Sequence, residues 1–345
     1  MRPHGSEKNL KSKMIFTDLG DNDRRDIIDY VSGKTGFLRN VIEKDWWVIL
    51  VLRAIFSLPY ADHMSFKGGT SLSKCWGLIQ RMSEDIDIGI SREFLGFSGE
   101  LSKNQISDKL RRACCAFVRN DMKNDINNAL IAQGISTDAI TVTVKATKVS
   151  TVDPETIYVT YKSLYDGNGY ILPQVKIEIS GRSMIEPVSK VSVRSYISEN
   201  LPKLTFQDKA VEVNAVTPQR TFLEKLFLLH EEFAKPSSEI RIERMSRHLY
   251  DVARIMKTEI AEDALSDDKL YKSVIEHRRK FIGLKRFDYS TLKKSTLRIV
   301  PEGATRVKWE EDYKNTVMNM VMGEAPSFDE IMTDLENLNR HINHM

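Results

Sequence analysis

The segment Asp85-Ile86-Asp87-Ile88-Gly89-Ile90 alternates strictly, with an isoleucine at every second position. Along a strand, successive side chains point to opposite faces. The segment therefore reads as a strand that buries Ile86, Ile88 and Ile90 and projects Asp85 and Asp87 together from the other face. Two carboxylates side by side repel unless something positive sits between them. A hard divalent cation is the common solution. A DxD pair is also met on solvated acidic strand faces, so its neighbours in sequence decide how it reads.

The chain has 345 residues, a length that suits about two domains. Apolar residues are 41% and charged residues 29%, the balance of an ordinary soluble protein. The most apolar run, 46–58, contains Arg53 and is too short to span a membrane. The first ten residues lack the apolar core of a signal peptide, so a cytoplasmic location is expected. Cys75, Cys114 and Cys115 form no CxxC pair. Three sparse cysteines fit a reducing compartment better than a disulfide scaffold or a zinc ribbon.

Periodicity predicts helices over 21–34 and 39–58, the second ended by Pro59. Phe66-Lys67 reads as a strand end, Gly68-Gly69 as a turn, and 70–78 as a short helix. A helical pattern covers 103–133. Strands rich in Val, Ile, Thr and Tyr follow at 140–147, 156–163 and 174–179, with Asp166-Gly167-Asn168-Gly169 as a hairpin signal. From Thr217-Pro218, with Thr217 as N-cap, nearly everything has a helical period. A domain of mixed α and β structure over 1–205 and a mainly helical one over 206–345 are expected.

Two neighbours favour a site around the carboxylate pair. Gly68-Gly69-Thr70 lets the backbone approach a ligand, and a helix starting there aims free N–H groups at an anion. Thr70, Ser71 and Ser73 add hydroxyl donors. The segment matches neither GxxxxGK[ST] nor GxGxxG. In Lys176-Ile177-Glu178-Ile179-Ser180 the isoleucines face inward, and Glu178 projects to the other face. If that strand lies beside 85–90, Glu178 becomes a third carboxylate, and three can carry two metal ions roughly 4 Å apart. Otherwise Glu178 simply faces solvent.

The order of glycine turn, short helix, DxD strand and later acidic strand resembles the nucleotidyltransferase superfamily that includes DNA polymerase β. FKGGTSLSK followed by RMSEDIDI, and preceded by Glu43-Lys44-Asp45-Trp46-Trp47, closely resembles the AbiEii/AbiGii-type toxin nucleotidyltransferases of bacterial toxin–antitoxin and abortive-infection systems. The resemblance runs from about residue 40 to 257. It departs at Met82, where the family often has Phe, and at Glu178, where related enzymes often have Asp.

The resemblance implies an α+β fold: a polymerase-β-like core of mixed sheet and flanking helices, then a helical C-terminal domain that completes the active site. It implies nucleotidyl transfer from a nucleoside triphosphate, with Mg²⁺ or Mn²⁺ held by Asp85, Asp87 and Glu178. Gly68, Gly69, Thr70, Lys74 and Ser83 would bind the nucleotide. Lys225 and Asp251 would join Asp85 and Asp87 as catalytic residues. The implied acceptor is RNA, notably a tRNA 3′ end, and the implied partner is a cognate antitoxin protein. From the residues alone, Lys225 also reads as a solvated helix charge, and Arg247 and Asp251, at i and i+4, as a surface pair.

Net charge is only +3. Its distribution is uneven: 269–308 holds 12 Lys/Arg against 3 Asp/Glu, and 309–336 holds 1 against 8. Arg278, Arg279 and Lys280, interleaved with Tyr271, Phe281, Phe287 and Tyr289, fit RNA binding, cations tracking phosphates and rings stacking on bases. The same pattern suits a solvated helix face whose aromatics belong to the core. The acidic segment reads as a plain helix, an intramolecular partner of the basic one, or an antitoxin surface. Two other activities stay open: kinase-like phosphoryl transfer to a protein, and a non-catalytic nucleotide-binding module. Metal-dependent phosphoester hydrolysis fits less well, since the seven histidines form no HD or HxH pair.

Overall fold

The computed structural model describes residues 14–83, 85–145, 155–165, 171–201 and 203–345. The elements are α1 (Asp21–Thr35), α2 (Arg39–Phe56), β1 (Met64–Lys67), α3 (Gly68–Lys74), β2 (Asp85–Ile90), α4 (Arg111–Phe117), α5 (Lys123–Ala132), β3 (Ile140–Lys145), β4 (Glu155–Tyr161) and β5 (Gln174–Ser180). They continue with β6 (Val188–Val193), α6 (Tyr196–Asn200), β7 (Val211–Val216), α7 (Pro218–Phe233), α8 (Arg247–Ile255), α9 (Glu259–Ser266), α10 (Asp268–His277), α11 (Gly303–Met320) and α12 (Phe328–His344). Two compact units are interleaved in sequence. One comprises Met1–Phe66, Glu84–Gly181 and Lys190–Ala215, the other Lys67–Ser83, Arg182–Ser189 and Val216–Met345.

The first unit is built on a seven-stranded sheet of order β3-β4-β5-β2-β1-β7-β6. β2 runs parallel to β5 and β1 to β7, while β3, β4 and β5 form an antiparallel meander. This mixed sheet with flanking helices is the expected α+β architecture. β2 falls where its alternation places it, with Ile86, Ile88 and Ile90 fully buried. Each contributes roughly 1.5–3 kcal/mol by leaving water. The sequence reading missed β6 and β7, although Val211, Val213 and Ala215 alternate inward. Residues 166–169 lie outside the described residues.

Helix α2 is buried along most of its length. Trp47 stacks on Tyr161 of β4 at 4.6 Å, and Trp46 meets Phe16 at 5.1 Å. Its charged residues Glu43 and Asp45 serve as backbone anchors. Glu43 accepts from Ser163 Oγ (2.5 Å) and Leu164 N (2.8 Å), and Asp45 accepts from Tyr196 N (2.6 Å). Burial raises the Glu43 pKa, and these hydrogen bonds oppose the shift. The helical stretch expected over 103–133 is not uniform. π-turns at Gln105–Leu110 and Val118–Met122 flank α4.

The second unit packs α7 to α12 around Phe222, Leu226, Leu249, Trp309 and Ile331. The segment before β2 is fastened to this core. Leu72 and Ile79 belong to the same cluster, and Trp76 Nε1 donates to Val216 O (3.1 Å). Residues 80–82 pair with 320–322: Met82 N donates to Met320 O (2.7 Å) and Met322 N to Gln80 O (2.8 Å). Thr217 precedes α7 as expected, but its side chain makes no capping hydrogen bond. Its backbone N donates to Pro187 O (3.1 Å).

Candidate functional site

In the first unit, the register sets Asp85 beside Lys176 and Asp87 beside Glu178 on adjacent parallel strands. Neighbouring strands lie about 4.8 Å apart, so the three carboxylates share one face of two strands. All are half-buried, while Ile177 and Ile179 are fully buried behind them. The condition for Glu178 to join the pair, strand adjacency, is met. Sequence reasoning gave Lys176 no role, yet its ammonium bridges the acids. It lies 3.5 Å from Asp85 Oδ2 and in closer contact with Glu178. Burial alone would lower the Lys176 pKa, but Asp85 and Glu178 outweigh it and the net shift is upward. The face is thus already arranged around a cation.

Among the described residues, no three His, Cys, Asp or Glu side chains form a ready-made metal cage. Mg²⁺ seldom uses one. It binds through one or two carboxylates and completes its shell with water and substrate phosphates. Hard carboxylate oxygens side by side on one strand fit that ion.

In the second unit, Gly68 and Gly69 open helix α3, with Gly68 at φ 80°. Thr70 is buried, and Lys74 is half-buried in the last turn. A Cβ on Gly69 would sit 2.8 Å from a guanidinium nitrogen of Arg81 and 2.8 Å from Ser83 Oγ. Only glycine leaves room there.

Arg81 is the residue the sequence reading overlooked. Its signal was the arginine two positions before SED in the family pattern. Arg81 is 2% exposed and grips Asp251 of α8 through Nε–Oδ1 (2.6 Å) and Nη2–Oδ2 (2.7 Å). Lys225 of α7 adds an ion pair to Asp251 Oδ2 at 2.7 Å, and its Nζ stands 3.4 Å from His248 Nδ1. The surface-pair reading of Arg247 with Asp251 is therefore corrected. Asp251 is fully buried, and its ion-pair partners are Arg81 and Lys225. The solvated reading of Lys225 is corrected too, since it is buried.

Burial would raise the Asp251 pKa, but Arg81 and then Lys225 reverse this and hold it well below the usual carboxylate range. Burial lowers the Lys225 pKa, Arg81 pushes the same way, and Asp251 opposes both. Burial and the nearby cations hold His248 far below its ordinary value, so it is neutral at pH 7 and accepts from Lys225. Two cations then share one carboxylate. The residual positive charge, in a medium that screens poorly, favours an anion.

The basic segment is divided. Arg278 is largely buried and forks onto Glu231, with Nε to Oε1 at 2.7 Å and a closer second contact. Arg279 pairs with exposed Glu276 (2.5 Å), and Lys280 is half-buried. Tyr271 is buried, and Phe287 and Tyr289 pack against the same core. Phe281 stacks on His277 at 4.9 Å. The core reading of these aromatics holds for Tyr271, Phe287 and Tyr289. Part of the acidic segment pairs with the basic one, through Arg306 and Glu336 at 2.8 Å.

A carboxylate pair on a sheet strand, preceded by a glycine-led helix, is the arrangement of a nucleotidyltransferase. The family described as nucleotidyl transferase AbiEii toxin, type IV toxin–antitoxin system, matches residues 50–334. The chain belongs to this family. The family's chemistry uses a divalent metal and a nucleoside triphosphate, and its members are toxins with antitoxin partners. No curated protein matches the chain in sequence. Among solved structures, JHP933 from Helicobacter pylori is similar over 88% of this chain and 92% of its own, at 13% identity and a TM-score of 0.44. MenT4, a nucleotidyltransferase toxin from Mycobacterium tuberculosis H37Rv, is similar over 94% of this chain and 97% of its own, at 14% identity and a TM-score of 0.43. Among the described residues, no helix is long and apolar enough to cross a membrane.

Proposed function

We propose that this chain transfers a nucleoside monophosphate from a nucleoside triphosphate to a hydroxyl of RNA, a tRNA 3′ end above all. It would act in the cytoplasm as a toxin restrained by a cognate antitoxin. The acceptor oxygen bonds to the α-phosphorus, the bond from that phosphorus to the bridging oxygen breaks, and pyrophosphate leaves. The hydroxyl proton passes to solvent.

The observation that carries this reading is the register of Asp85 and Asp87 with Lys176 and Glu178. Asp85 and Asp87, with Glu178 beside them, are assigned to hold Mg²⁺, or Mn²⁺ in its stead. Bound there, the metal supplies a lowered pKa for the attacking hydroxyl and a counter-charge for the departing pyrophosphate. Gly68, Gly69, Thr70 and Ser83 are assigned hydrogen bonds to the β- and γ-phosphates, and Lys74 and Lys225 the remaining triphosphate charge. Asp251, buried between Arg81 and Lys225, serves as a positioning residue that fixes the Lys225 ammonium. Fixed donors of this kind work by positioning and electrostatics.

The test is incubation with Mg²⁺, total bacterial RNA and each of the four triphosphates labelled at the α-phosphate, beside an Asp85→Ala control. A labelled tRNA-sized band with the native chain alone supports the reading. Label delivered to protein only from the γ-phosphate replaces it with phosphoryl transfer. Equal labelling by Asp85→Ala removes the metal assignment.

A further inference from the structure

We propose that a groove lined by Arg298, Arg306 and Arg340 in the second unit holds the phosphate backbone of the acceptor RNA. The inference rests on the reading that the acceptor is RNA. It moves the nucleic-acid contact away from Arg278, Arg279 and Lys280.

The excess of cations over 269–308 does not form one uniform surface. Arg278 is committed to buried Glu231, and Lys294 pairs with Asp268 at 3.1 Å. Arg298 and Arg306, further along the run, line one groove of about 490 Å³, joined by Arg340 from α12. That volume lies within the range of ligand sites. Among the described residues, no carboxylate forms an ion pair with Arg298 or Arg340. Arg340 Nη2 donates only to the amide oxygen of Asn337 (2.6 Å). Arg306 meets Glu336 at 2.8 Å, but both are well exposed, so water and salt weaken that pair.

The frame under the arginines is fixed. Leu297 and Ile299, either side of Arg298, are fully buried. Arg298 N donates to His230 Nδ1 (2.9 Å), and Ile299 N donates to Asn339 Oδ1 (2.8 Å). Asn339 Nδ2 donates back to Leu297 O (3.1 Å), which ties this loop to α12. Guanidiniums on a rigid frame lose less entropy on binding than those of a mobile tail. Their planar fork matches phosphate oxygens.

Two features select a polynucleotide over an acidic protein. The lining has no aromatic and no large apolar anchor beyond Val300 and Pro301. A protein interface needs such an anchor at its centre. A phosphodiester chain needs only spaced cations; the lining holds three, against two carboxylates, Glu336 paired with Arg306 and Glu302.

The test is fluorescence anisotropy of bulk tRNA against the full chain and R298E/R340E, from 50 to 300 mM salt, with thermal unfolding alongside. Neither arginine holds a carboxylate, so the unfolding midpoint of the variant should stay in place. We expect at least a tenfold loss of affinity at low salt. The slope of log K on log salt should shrink by about 1.4 to 1.8, the value for two lost phosphate contacts. R298K/R340K should keep the slope. Unchanged affinity and slope in R298E/R340E overturn the proposal, as does a native chain that does not bind tRNA. Loss of polyglutamate binding with tRNA affinity intact also overturns it and assigns the groove to an acidic protein. If the native chain transfers α-label to a non-RNA acceptor without binding tRNA, the groove assignment falls while nucleotidyl transfer stands. Groove-dependent tRNA binding with no α-label transfer sinks the transfer reading and leaves the groove.

Discussion

Arg81 and Asp251 lie 170 residues apart in sequence, yet they meet through two parallel hydrogen bonds of 2.6 and 2.7 Å with almost no exposure to water. Lys225 completes the contact from a third element. The pair links the strand-like segment before β2 to helix α8, and it sits directly against Gly69.

Removing the carboxylate should be far more damaging than its position outside the metal strand suggests. Asp251→Ala leaves two buried cations uncompensated, a change that costs about 3–5 kcal/mol. Urea unfolding should show that loss. Asp251→Asn keeps the shape and should lose activity through a misplaced Lys225. A variant as stable and as active as the native chain would refute the role given to Asp251.

Gly69→Ala tests the close approach. The added methyl would press on Arg81 and Ser83 at 2.8 Å. Overpacking of this kind costs about 1–3 kcal/mol. We expect weaker triphosphate binding together with a lower unfolding midpoint. Binding unchanged by calorimetry would show that the glycine serves packing alone.

Adjacent residues on β2 should give opposite phenotypes. Asp85→Ala and Asp87→Ala should abolish transfer and leave thermal unfolding nearly unchanged, because both are half-buried and point away from the core. Ile86→Ala, from a fully buried position, should cost about 2–5 kcal/mol and spare the chemistry in whatever fraction stays folded. Transfer rates and unfolding curves on the three variants decide it.

Arg278 and Arg279 should likewise diverge. Arg278→Glu sets a like charge against buried Glu231 and should destabilise by about 3 kcal/mol or more. Arg279→Glu changes an exposed pair, and its unfolding midpoint should not move. Equal midpoints for the two variants would contradict the ion pair to Glu231.

Stability should fall as pH drops from 7 toward 4. Burial, helped by Arg298, holds the His230 pKa at about 4, against about 6.5 in the unfolded chain. His230 Nδ1 accepts the Arg298 amide and Nε2 faces Thr291 Oγ1 at 3.0 Å, so the neutral ring with the proton on Nε2 fits. A depressed folded value means that the unfolded chain takes up the proton first. The contribution is fully present above about 6.5 and is lost as pH falls toward 4, about 2 kcal/mol of it by pH 5. His277, also held at about 4 by burial, acts in the same direction. Asp251 and Glu224, both depressed, act only at lower pH. Urea unfolding at pH 7 and pH 5 should show a smaller drop for His230→Gln than for the native chain.

Much of the chain was legible from period alone. The alternation of 85–90 placed both carboxylates and all three isoleucines correctly, and the helical spacing after Pro218 found α7. β6 has a broken alternation, with only Val193 fully buried, whereas β7 alternates cleanly at Val211, Val213 and Ala215 and was legible but not read. Thr217 stood where a cap belongs, but its buried hydroxyl makes no capping bond.

The sequence by itself determined which side chains share a face, because that follows from the geometry of one strand or one helix. It could not decide what each face meets. That β5 lies beside β2, that Lys176 reaches Asp85, that Arg81 rather than Arg247 holds Asp251, and that Arg278 is tied to Glu231 while Arg279 is not, are pairings over long separations. Tertiary structure settled these, because a buried charge must find its counter-charge wherever packing brings one within reach, and sequence spacing carries no record of that distance.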